Sequence, residues 1–63
     1  MKYQIEAYEN DKLIGKSDAF DMDTVNGLIQ KKNQLMQDLE ENRQVTKENV
    51  LNIRLHLARF KQN

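Results

Sequence analysis

The fold turns on residues 46–60, TKENVLNIRLHLARF, because two periods compete in them. Ile53, Leu55 and Leu57 alternate with Asn52, Arg54 and His56, the period of a strand. Val50, Ile53, Leu57 and Phe60 also fall at helical spacing, with Leu51, Leu55 and Ala58 widening the same face. Leu, Ala, Arg, Lys and Gln dominate the tail and favour helix, and Thr46 with Glu48 behind it resembles a helix start. The balance favours a helix within 47–60. The expected fold class is therefore α+β, an N-terminal β-hairpin followed by two amphipathic helices (ββαα). Read as a strand, the same segment gives ββαβ with a three-stranded sheet.

Upstream of this segment the pattern is plainer. From Thr24 to about Arg43, Val25, Leu28, Leu35 and Leu39 take positions like the a and d sites of a heptad. Ile29 and Met36 broaden that stripe and Lys32 interrupts it. The acidic connector DAFDMD (18–23) precedes the helix, with Asp21 or Asp23 as the expected N-cap. Arg43 at the far end suits the helix dipole. Residues 3–8, YQIEAY, alternate as a strand does. Asn10 and Asp11 tolerate a tight turn, and KLIGKS (12–17) returns, giving a hairpin over 3–17. A two-residue turn pairs Tyr8 with Leu13 and Ala7 with Ile14, whereas a three-residue loop pairs Tyr8 with Ile14. Either way Tyr8 and one aliphatic side chain face away from Ile5 and Ala7.

Sixty-three residues make one small domain, 1–63. Hydrophobic residues are 38% of the chain and charged residues 32%, so the core is thin. Small domains supplement such a core with disulfides, metals or self-association. There is no cysteine and one histidine, which leaves self-association. A homodimer is expected, with its interface drawn from Tyr8, Leu13, Val25, Leu28, Ile29, Leu35, Met36, Leu39, Ile53, Leu57 and Phe60. No apolar stretch approaches a membrane span and no signal peptide opens the sequence, so a cytoplasmic location is expected.

Catalytic chemistry finds little support. His56 is the only imidazole, set between Leu55 and Leu57 with no local partner to position it as a base. An EF-hand loop started at Asp21 would place Asn26 where glycine is needed and Lys32 where glutamate is needed. Gly15 and Gly27 are the only glycines, too few for a phosphate-cradling loop. Ser17, the only serine, has no acid or histidine at a recognisable spacing. The expectation is a non-enzymatic module without cofactor, metal or small-molecule substrate.

The formal charge is zero, but it is unevenly laid out. Residues 1–42 hold five Lys against nine Asp or Glu, giving −4, and residues 43–63 hold five Lys or Arg against one Glu, giving +4. The two halves could attract each other, or the basic half could meet the acidic part of a second subunit. A basic segment of this kind also suggests nucleic acid, through Arg43, Lys47, Arg54, Arg59 and Lys61.

Residues 40–60, EENRQVTKENVLNIRLHLARF, resemble the inter-helix turn and second helix of ribbon-helix-helix repressors. The resemblance covers about a third of the chain and implies DNA contact through Lys12, Ile14 and Lys16, or through the opposite face of that strand. The chain departs from that family in its longer first helix, in lacking glycine after Asn42, and in carrying a hairpin for a single ribbon. The sequence supports two functions. The first is a regulatory protein-interaction module acting as a dimer on another protein. The alternative is a nucleic-acid-binding regulator.

Overall fold

A computed structural model describes residues 1–61. Strands β1 (Lys2–Glu9), β2 (Lys12–Lys16) and β3 (Phe20–Asp21) come first. Helix α1 (Val25–Glu41), a single 3₁₀ turn (Val50–Asn52) and strand β4 (Ile53–Arg59) complete the order. Residues 53–59 are thus a strand, which corrects the expected second helix. The architecture is α+β with one helix, close to the ββαβ alternative but with the short β3 added. The ribbon-helix-helix resemblance loses the second helix it implies.

β1 is the central strand. Tyr3 lies between Phe20 of β3 and Arg59 of β4, and Ala7 lies between Gly15 of β2 and Leu55 of β4. β2 and β3 therefore share one edge of β1, and β4 runs along the other, antiparallel from Tyr3↔Arg59 to Glu9↔Ile53. This pairing explains the strand. Helix formers yield when an apolar alternation meets a neighbour whose pleat it fits, and Leu55 and Leu57 stand beside Ala7 and Ile5.

The hairpin turns on two residues, with Glu9 opposite Lys12 and Tyr8 opposite Leu13. Asn10 takes the left-handed φ of 57°, which asparagine tolerates. A bulge then slips the register, so that Gly15 rather than Ile14 faces Ala7. Neither simple register expected from the turn survives past Tyr8. Beyond β2 the ladder continues through a side chain. Ile5 N–H donates to Ser17 Oγ at 2.9 Å, and Ser17 N–H donates to Ile5 O at 2.8 Å.

Thr24, not Asp21 or Asp23, caps α1, accepting from Gly27 N–H at 3.0 Å. Asp21 is instead part of β3 and bonds Lys2 Nζ at 2.9 Å, which holds its carboxyl below the ordinary range. Both partners are half exposed, so the contact adds little to stability. At the other end Arg43 N–H donates to Glu40 O, Gln44 N–H donates to Leu39 O, and Arg43 has φ 59°. This is a Schellman stop made without the usual glycine.

The helix lies over β1 and β2. Leu35 and Leu39 meet Ile5, Ala7, Phe20 and Val45 there, and these six form the buried core. Tyr3, Ile14, Leu28, Met36, Ile53 and Leu55 flank it. Among the described residues no helix is long and apolar enough to cross a membrane.

Candidate interaction surface

Among the described residues β4 pairs with β1 alone, which makes it an edge strand, and its backbone bonds show which groups point outward. Asn10 N–H donates to Asn52 O at 3.3 Å and Phe60 N–H donates to Lys2 O at 2.9 Å. These two bonds bracket the ladder and assign the peptide groups of Arg54, His56 and Ala58 to β1. Antiparallel alternation then turns outward the C=O of Ile53 and both peptide groups of Leu55, Leu57 and Arg59, while Ile53 N–H donates to Val50 O and closes the 3₁₀ turn. Such a row of unpaired groups is a template for another strand.

The same four residues share the helix-facing side of the sheet, because Leu57 opposes buried Ile5 and Leu55 opposes buried Ala7. The helix is offset toward β2, so this side of β4 is poorly covered. Leu57 is 36% exposed, and Ile53 and Leu55 are half-buried. Next to them, in the 3₁₀ turn, Leu51 is 94% exposed. An apolar strip thus runs beside an unpaired edge.

Among the described residues no helix covers the opposite side of the sheet. That side presents Gln4, Glu6 and Tyr8 of β1, with Arg54 and His56 alongside from β4. Tyr8 Oη donates to Glu6 Oε1 at 3.0 Å, and the Arg54 guanidinium stands 5.0 Å from the Tyr8 ring centroid, a cation–π contact. The hydrogen bond to Glu6, helped by burial, raises the Tyr8 hydroxyl above its ordinary pKa. A shallow hollow of about 750 Å³ lies at the end of the β1–β4 pair, lined in part by Gln4, Glu6, Lys16, His56, Arg59 and Lys61.

The expected interface residues divide into three groups. Leu35 and Leu39 lie in the chain's own core, with Leu28, Met36 and Ile53 against it. Val25 (72% exposed) and Ile29 stand out on the helix, away from that core. Tyr8 and Phe60 are half-buried and Leu13 is exposed, while Leu57 lies on the β4 edge. Of the five basic candidates only Arg59 and Lys61 come together, lining that hollow with Lys16. Arg43 and Lys47 flank the loop after α1, Arg54 covers Tyr8, Arg59 lies on the other side of β4, and Lys61 comes just after that strand. Among the described residues the one ion pair, Lys2–Asp21, is internal to the acidic half.

Sequence reasoning missed Leu55 and Arg59 as edge groups, although the alternation of Ile53, Leu55 and Leu57 was the available signal. It also missed Asn49. Asn49 Nδ2 donates to Glu9 Oε2 at 2.7 Å and to Gln44 O at 3.3 Å, and its Oδ1 accepts from Thr46 N–H. Those bonds fasten the loop to the end of β1 and so set where β4 begins.

No family model, curated protein or solved structure matches this chain.

Proposed function

We propose that the chain is a non-enzymatic protein-interaction module that recruits a polypeptide strand along the outer edge of β4. One observation carries this reading: among the described residues the outward backbone of Leu55, Leu57 and Arg59 is unpaired beside an apolar strip that α1 leaves bare. Strand addition takes affinity from main-chain hydrogen bonds and selectivity from alternate side chains, and both elements are present here.

A nucleic-acid regulator has less to rest on. Of its five basic side chains only Arg59 and Lys61 share a hollow, where Glu6 stands beside them, and the total charge of zero provides no general attraction to phosphate.

A photo-reactive residue in place of Leu57 tests the proposal, with one in place of Asn33, exposed on α1, as the control. Irradiation in extract should give adducts with polypeptide from position 57 and none from position 33. Absence of polypeptide adducts at 57 sinks the reading.

A further inference from the structure

We infer that the Asn26–Gly27 peptide is a site of spontaneous modification, where Asn26 converts to aspartate and isoaspartate, and that the Thr24 hydroxyl governs the rate. The inference is independent of the β4 edge. The chemistry needs a side-chain amide followed by an unobstructed backbone nitrogen. The Gly27 nitrogen, once deprotonated, attacks Asn26 Cγ; the N–Cγ bond forms, the Cγ–Nδ2 bond breaks, and ammonia leaves with the proton. Water then opens the cyclic imide. Addition at Cγ gives aspartate on an intact backbone, and addition at the main-chain carbonyl carbon gives isoaspartate, with the chain rerouted through the side chain. Nothing is oxidised or reduced. Asn10, Asn33, Asn42, Asn49 and Asn52 are each followed by a residue whose side chain obstructs this approach. The amides of Asn42 and Asn49 are held in hydrogen bonds besides.

The helix both displays this pair and protects it. Asn26 is exposed in the first turn of α1, and Gly27 N–H donates to Thr24 Oγ1 at 3.0 Å. A first-turn N–H has no intrahelical partner, so the cap is what occupies the nucleophile. Ring closure also requires the Asn26 ψ to leave the helical value of about −42°. The reaction therefore runs through the frayed turn, and little besides the cap resists fraying. Val25 is 72% exposed and Ile29 47%, which leaves Leu28 to pack this end of the helix on the core. The two products act in opposite directions. α1 has no acidic residue in its first turn, so aspartate at 26 adds a carboxylate where the helix dipole favours one. Isoaspartate lengthens the backbone and cannot continue the turn.

Prolonged incubation of the whole chain at mildly alkaline pH tests the inference, read by peptide mass spectrometry and by labelling with an isoaspartyl methyltransferase. Conversion should appear at 26 before any other asparagine. Thr24→Ala should speed it about fivefold, the factor by which loss of a cap raises the frayed population. Thr24→Ser, which keeps the hydroxyl, should match the natural chain. Gly27→Ala should nearly abolish conversion, and its Cβ would meet Thr24 Oγ1 at an ordinary 3.5 Å, so the variant should fold. In concentrated urea the natural chain and Thr24→Ala should convert equally fast, which ties the difference to the folded cap. Conversion that starts at another asparagine overturns the site. Equal rates for Thr24→Ala and the natural chain when folded, or a difference that survives in urea, overturn the role of the cap.

Discussion

The hydroxyl of Ser17 stands where the ladder between β1 and its hairpin partner runs out. It accepts from Ile5 N–H and donates to Asp18 O, both at 2.9 Å. Ile5 is 1% exposed, so water is a poor substitute acceptor. Ser17→Ala should cost about 1–3 kcal/mol, the penalty for stranding a buried donor, measured by urea unfolding; Ser17→Thr, which keeps the hydroxyl, should cost less. A loss no greater than that of an ordinary surface substitution defeats the assignment. Nothing in the sequence announces this role, because a single serine after a strand reads as turn chemistry. Asn49 was hidden for the same reason: its partner Glu9 is distant in sequence and meets it only once β4 has paired. Thr46, by contrast, was legible in part. Its hydroxyl accepts weakly from Asn49 N–H at 3.4 Å, as an N-cap would, but it leads into one 3₁₀ turn rather than a helix.

Between elements, the contact that sets the helix height is at Gly15. A Cβ built there would lie 2.7 Å from Leu39 Cδ2, and Leu35 is next nearest. Alanine asks only that one leucine methyl give way. Gly15→Val would force both leucines and the bulged strand apart and should cost about 1–3 kcal/mol, read as a lowered urea midpoint. Stability equal to that of the natural chain contradicts the close packing of α1 on β2. The helix itself was legible because its stripe repeats over several turns, and the hairpin because its turn residues sit between alternating runs. Helix propensity misled at 53–59, where the deciding partner is β1, far away in sequence. Phe20, in the acidic connector, and Val45, in a polar loop, were missed as core because neither belongs to a helix or strand period long enough to reveal it. Of the candidate surface, Leu57 was found from the apolar pattern. Its neighbours on the edge depend on which way each peptide group points, and only the pairing determines that.

At the scale of the whole molecule, the two oppositely charged halves are joined by β-pairing and apolar packing, with the acidic half supplying β1 and the basic half β4. Across this junction Arg54 meets the Tyr8 ring, while Glu6 is engaged by the Tyr8 hydroxyl. The layout that first suggested an attraction between halves therefore acts mostly through a shared sheet. The central position of β1 also imposes an order of events. Its hairpin closes across Asn10 and Asp11, whereas Glu9 reaches Ile53 only after the helix and its loop have been spanned. Loop closure costs more as the span grows, by about 0.6 kcal/mol per doubling. The hairpin should thus form early and β4 should dock last and detach first. The amides of Arg54, His56 and Ala58 should exchange with deuterium faster than that of Ile5. Equal rates would mean that the sheet opens as one unit. A chain that secures its last strand last spends part of its time as a hairpin and helix with one side of β1 bare. In that state any strand of suitable pattern competes with β4 for the vacancy, so exchange of β4 between copies becomes a kinetic hazard of this topology.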